Sequence, residues 1–223
     1  MNYSLFLSSC DCGQSEIALH AAKRLANLDK NVLVIDITKS QKIYFSLCLN
    51  KELEKDFKSS DSLIIEREGV DILINNPQND DRFDRSKILN IFDFSEYNYI
   101  LVIADDIVSD ETFTNATNRF IFQDFYKEKL TKNKLMIDRL GRNKPVAGYE
   151  VVINGSINCK IKKEYILHIL GEDNFNGVEI PFSEADYVAS LNAIATGKIN
   201  NKNYSKSYKI AIKKIAEKID SFR

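Results

Sequence analysis

The chain has 223 residues, 44% of them apolar and only three of them proline, which describes one folded α/β-sized globule rather than a disordered or fibrous chain. Thirty-one basic residues against thirty-two acidic ones leave a net charge of −1, so no global field draws it to nucleic acid or anionic lipid. No run of about 18 apolar residues occurs, and the N-terminus lacks the basic, apolar, small-residue order of a secretion signal, so the expected location is cytoplasmic. The four cysteines (Cys10, Cys12, Cys48, Cys159) are too scattered for a disulfide framework. Cys10-x-Cys12 has no nearby Cys or His to complete a metal site, and none is expected. His20 and His168 fall in helical segments without a catalytic neighbour.

In chain order, Tyr3 to Leu7 predicts a short apolar strand, and Ile17 to Ala26 an Ala-rich helix with apolar residues three and four apart. Asn31 to Asp36 predicts a second buried strand ending in a carboxylate. Tyr44 to Phe57 carries helical spacing. Leu63–Ile65 and Val70–Ile74 predict two short strands across Gly69, and Phe83 to Phe94 a helix. Tyr97 to Asp105 is a central buried strand; Arg119 to Gln123 is another, followed by a helix over Lys127 to Leu140. Tyr149 to Asn154 predicts a strand, Lys162 to Leu170 a helix, Val178 to Pro181 a last short strand and Glu184 to Ala195 a helix. Lys198 to Ser207 is linker-like. Beyond it, Tyr208, Ile212, Ile215, Ile219 and Phe222 share one face of an amphipathic helix, 208–222. Its lysine face allows peripheral contact with an anionic membrane. Docking on the sheet is the favoured reading, because Glu217 and Asp220 dilute the charge. Strands alternating with helices predict a mostly parallel sheet of about seven strands, covered on both faces.

Between the first strand and first helix lies Ser8-Ser9-Cys10-Asp11-Cys12-Gly13-Gln14-Ser15-Glu16. Strand, glycine-containing turn, helix and second strand form the context of a phosphate-binding loop, here one without lysines. Gly13-Gln14-Ser15, Asn31 to Asp36, Tyr97 to Val102, and the pair Val152-Ile153-Asn154 and Glu179-Ile180-Pro181 together resemble the ParA/MinD family of deviant-Walker P-loop ATPases over nearly the whole chain. The resemblance implies a three-layer P-loop NTPase-like α/β fold as a single domain over 1–223. It makes Ser9, Cys10, Asp11, Cys12, Gly13, Gln14, Ser15 and Glu16 the nucleotide-binding loop, and sets Asn154 and Pro181 beside adenine.

Against the family pattern, Gln14 replaces the Walker lysine and Ser9 the signature lysine. A cation about 4 Å from a phosphate charge contributes a few kcal/mol near a protein surface. Gln14 donates a hydrogen bond but neutralises nothing, and Asp11 repels a phosphate. Asp36 matches the family's first switch carboxylate, while Thr38 stands for the second and Ile103 for the Walker B acid. Asp105, two residues on, supplies a magnesium contact if the register shifts, and Ser15 is a further magnesium ligand if nucleotide comes. The competing reading of Asp36 is a cap on the turn that follows it.

These losses predict a pseudo-ATPase with no catalytic residue and no resident cofactor, weak magnesium ATP or ADP binding being the residual option. A fold kept without its chemistry serves as an interaction surface. Within the resemblance this suggests the TadZ/CpaE-like branch, whose members localise pilus or secretion assembly, often with an N-terminal receiver-like domain; this chain begins directly at its first strand. The alternative is an active partition or cell-division-site ATPase in which Lys39 or Lys42 stands in for Gln14. A DNA-associated role needs a basic face, for which only Lys160-Ile161-Lys162-Lys163 and the C-terminal lysines qualify, so no specific nucleic acid is expected. The expected partners are the proteins of such a machine and a second copy. The loop lacks the lysines that would repel each other, and Ser9, Cys10 and Cys12 are small, so Ser9–Ser15 is the expected nucleotide-independent dimer face. A monomer with a packed, inert loop is the competing outcome.

Overall fold

Strand β1 (Asn2–Leu7) shows how the sequence builds layers. Successive side chains on a strand point to opposite faces. Phe6 accordingly enters one apolar core, while Leu5 and Leu7 enter the other. The same alternation runs through β2 (Val32–Asp36), β5 (Tyr99–Ala104) and β6 (Asn118–Gln123), all of them buried along their length. The computed structural model describes residues 2–38, 40–47, 62–75, 94–105, 116–143, 150–157, 159–171, 177–199 and 202–221.

With β3 (Ser62–Arg67), β4 (Val70–Asn75), β7 (Glu150–Ser156) and β8 (Val178–Pro181), eight strands form one sheet in the order β3-β4-β2-β5-β1-β6-β7-β8. All pairings are parallel except β3 with β4, a hairpin that turns at Glu68 and Gly69, both at positive φ. One face carries α1 (Gln14–Ala26) and α6 (Lys206–Ser221), which bury Ile17, Leu25, Ile212 and Ile215 with Phe6 and Phe122. The other carries α3 (Lys127–Asn143) and α4 (Lys163–Leu170), through Leu130, Met136 and Ile166. The helices α2 (Lys42–Leu47) and α5 (Glu184–Thr196) lie against each other near the first face.

The predicted three-layer α/β architecture is thus the one observed. Helix α1 starts at Gln14 rather than Ile17, α2 at Lys42 rather than Tyr44, and α6 at Lys206, inside the stretch read as a linker. Residues 48–57, 83–93 and Phe222 of the predicted helices lie outside the described residues. Among the described residues, no helix is long and apolar enough to cross a membrane. Of the two readings of the C-terminal helix, docking is the one seen: Tyr208, Ile212, Ile215 and Ile219 are buried. That apolar face is already covered by protein and is not presented to a bilayer.

The docked helix makes a direct prediction. Ile215 is fully buried, so Ile215→Ala should lower the free energy of unfolding by about 3 kcal/mol in urea denaturation. Lys214→Ala, on the exposed face, should change it by less than about 0.5 kcal/mol. Equal, small effects would mean that the helix is not part of the core.

Candidate functional site

Strand β1 ends in the middle of the sheet, with β2 to one side and β6 to β8 on the other. The turn that follows it therefore emerges where the strand order changes direction, the place where open α/β sheets form their ligand crevice. Gly13 closes this turn at φ 83, in the left-handed region that glycine enters without strain. A side chain at Gly13 would also collide with Nδ2 of Asn154, whose amide donates to the Cys12 carbonyl at 2.9 Å.

The backbone N–H groups of this turn face acceptors from the chain itself. The N–H of Ser9 and its hydroxyl both donate to Oδ1 of Asn133, each at 2.8 Å. Cys10 N–H donates to the Ser8 hydroxyl at 3.4 Å, Cys12 N–H to Oε1 of Gln14 at 2.9 Å, and Gly13 N–H to Oδ1 of Asp11 at 3.3 Å. Gln14 is 3% exposed and folds back into its own turn. Asn133 is fully buried; its amide donates to the Phe122 carbonyl and to Gln123, tying the turn to the end of β6.

Two cations approach the turn. Lys42, from α2, is ion-paired with the Asp11 carboxylate, and Lys129, from α3, donates to the Asp11 carbonyl at 2.5 Å while paired with Asp124 at 2.6 Å. Asp11 and Lys42 are both about half exposed, so their pair adds little stability. Cys12 lies inside at 4% exposure, and burial pushes its thiol up to about 12, far from a metal-binding thiolate. Among the described residues, no group of three or more His, Cys, Asp and Glu is placed to hold a metal ion.

Asp36 is 2% exposed and accepts from Thr38 N–H at 3.0 Å, the Thr38 hydroxyl at 2.6 Å and Ile43 N–H at 3.2 Å. Its carboxylate thus fastens the turn between β2 and α2. Burial nonetheless raises its pKa, against the opposing pull of those hydrogen bonds. Ile103 sits directly opposite Asp36 in the register and is fully buried. Asp105 follows the end of β5, half-buried, and its charge adds to the raised pKa of Asp36.

Two clefts meet at Glu16. One, of about 270 Å³, opens between the turn, α2 and α5 and includes Asp11, Lys42 and Ile194. The other, of about 160 Å³, includes Asn154, Pro181 and Tyr204. Glu16 accepts from Ser190 at 2.9 Å and from the Tyr204 hydroxyl at 2.5 Å, and burial raises its pKa. Behind it, His20 pairs through Nδ1 with the Tyr208 hydroxyl at 2.7 Å, and Tyr204 stacks on Tyr208 with centroids 4.5 Å apart.

No family model matches the sequence, and no curated protein matches it by sequence. Solved structures do match. A ParA family ATPase from Chlorobium tepidum TLS aligns over 97% of both chains at 19% identity with a TM-score of 0.67. MinD in the Aquifex aeolicus MinC:MinD cell division complex covers all of this chain and 97% of its own at 15% identity, TM-score 0.70. A putative plasmid partition protein from Borrelia burgdorferi B31, bound to AMPPNP, covers 97% and 99% at 20% identity, TM-score 0.65. The fold is that of the ParA/MinD ATPases.

Of the residues singled out in sequence, Ser9 to Gly13 form the turn and Gln14 to Glu16 open α1, Asp36 and Asp105 lie near each other at the ends of β2 and β5, and Asn154 and Pro181 line one cleft with Glu16. Four backbone donors of the turn already have acceptors, Asp36 accepts three hydrogen bonds from its own loop, and Asp11 is ion-paired with Lys42. Cys12, expected on an exposed loop face, is interior. Sequence reasoning missed Asn133, Lys129 and Tyr204. A polar Asn133 on the stripe of Leu130, Met136 and Ile137 was the available signal for the first.

The His20 cluster predicts a pH response. Burial pulls the imidazole down to about 4 from 6.5. The unfolded chain takes up the proton below about 6.5, so the stability is fully present above that and lost as pH falls toward 4, by at most about 3 kcal/mol. The raised carboxyls of Glu16 and Asp36 act in the opposite sense, favouring the fold as they take up protons. The stability difference between wild type and His20→Gln isolates the imidazole and should shift against wild type by up to about 3 kcal/mol between pH 6.5 and 4. A difference constant with pH would show that His20 is not a buried neutral ring.

Proposed function

We propose that this chain is a ParA/MinD-like pseudo-ATPase that works as a localisation or assembly scaffold, of the pilus or secretion type suggested by the TadZ/CpaE-like resemblance. The carrying observation is the occupied turn: Gln14, Asn133, Ser8 and Asp11 supply the acceptors that a bound triphosphate would otherwise provide. A nucleotide entering the turn must strip Gln14 and Asn133 of their donors. Each buried acceptor left unpaired costs about 1–3 kcal/mol, and no lysine at position 14 compensates.

The surface beside the turn supports an associating role. Tyr187, Leu191 and Ile194 follow one another at four- and three-residue spacing along α5, each more than 40% exposed, and Phe45 of α2 is 55% exposed nearby. Monomeric surfaces seldom gather large apolar side chains in this way. Homodimerisation through the face that carries the turn and this row is the favoured association, independent of nucleotide.

The second reading, an active divergent ATPase, draws on Lys42, which reaches the turn from α2 as a substitute cation. Its charge is engaged by Asp11, and no acid stands at Ile103.

Purified protein with magnesium and ATP should release no phosphate above buffer, and Gln14→Lys alone should not restore turnover. Robust hydrolysis abolished by Ser15→Ala or Lys42→Ala would establish the ATPase reading instead. Sedimentation at tens of micromolar should show a dimer without nucleotide, dissociated by Leu191→Asp; a wild-type monomer there removes the dimer from the account.

A further inference from the structure

Away from the turn, the N-terminal ends of α3 and α4 converge on a hollow of about 350 Å³. Its floor is apolar: Leu130 and Ile166 are 4% and 1% exposed, with Phe125 and Ile161 beside them. Its rim carries Lys127, Lys160 and Lys162, and Tyr165 stands there 48% exposed. The one carboxylate lining it, Asp124, is paired with Lys129. Among the described residues, none of the three rim lysines has an ion-pair partner. Lys162 is also the N-cap of α4 and offers its helix no side-chain acceptor. Two helix N-termini and three ammonium groups without an ion-pair partner among the described residues therefore surround one recess, with Glu128 and Glu164 in the first turns of α3 and α4 as the nearby acids.

We infer that this hollow binds an acidic peptide segment of a partner protein, with one aromatic or large aliphatic side chain seated on the floor and flanking carboxylates on Lys127, Lys160 and Lys162. The chemistry discriminates among anions. Three lysines fall short of the roughly four to eight basic residues that read as an anionic-membrane patch. The chain as a whole carries a net charge of −1, without the extended basic face a nucleic acid needs. A recessed aliphatic floor under a cationic rim matches alternating acidic and apolar side chains, with the charges giving selectivity and the anchor most of the affinity. This inference rests on the reading of the chain as a scaffold for protein partners, and it names the place where one would dock.

The test uses the full-length chain and a fluorescein-labelled peptide, Glu-Asp-Phe-Glu-Asp, read by anisotropy at low salt without nucleotide. Saturable binding is expected, weakened at least about fivefold by Lys160→Glu/Lys162→Glu and by Phe-to-Ser replacement in the peptide. All three rim lysines are exposed, so the variant should keep its wild-type circular dichroism, and Tyr165→Ala provides a second probe that leaves the charge unchanged. Unaltered affinity in the double variant, or no binding at millimolar peptide, would overturn the inference. So would tighter binding of oligo-dT, or of vesicles of phosphatidylserine and phosphatidylcholine in equal parts. Because no step involves ATP, hydrolysis by the turn would defeat the pseudo-ATPase reading and leave this result standing.

Discussion

A tight turn between a buried strand and a helix leaves several backbone N–H groups pointing into one small space, and each requires an acceptor. In a phosphate-binding loop the ligand is that acceptor. Here the chain supplies it. Asn133, Gln14, Ser8 and Asp11 each take an N–H of the turn, and Asn154 takes up the Cys12 carbonyl that faces away. With these donors satisfied, the turn keeps its shape without an anion.

Charge plays the smaller part in this arrangement. The Asp11–Lys42 pair is half exposed, and such pairs contribute about 0–1 kcal/mol. The hydrogen bonds of Gln14 and Asn133 are buried, where losing a partner costs more than making one gains. Neutral amides therefore anchor the turn, in a place where the ParA/MinD pattern uses lysine. Beside the turn, the half-exposed Asp11–Lys42 pair lies next to exposed apolar side chains of α5, among them Tyr187 and Ile194.

The layers were legible in the sequence because strand and helix periods are properties of local runs: Phe6 against Leu5 and Leu7, or Ile212 against Ile215, can be sorted without knowing what they touch. The resemblance also located the turn and brought Asn154 and Pro181 to one cleft. What the sequence concealed were contacts between distant segments. Ser9 meets Asn133 from 124 positions away, and Glu16 meets Tyr204 from 188. Tyr204 lay in a stretch of Asn, Lys and Ser that reads as a linker, yet it is 4% exposed and stacked on Tyr208. Likewise, Cys12 is a small residue in a loop, and only the packing of the turn against Asn154 shows it to be interior.

The most direct measurement of the central claim is amide hydrogen exchange of Ser9, Cys10, Cys12 and Gly13, with and without saturating magnesium ATP. Donors bonded to Asn133, Ser8, Gln14 and Asp11 should exchange slowly in the free protein, and nucleotide should leave their rates unchanged. Fast exchange in the free protein, slowed by nucleotide at these four positions, would show that the turn still waits for a phosphate and would contradict the account.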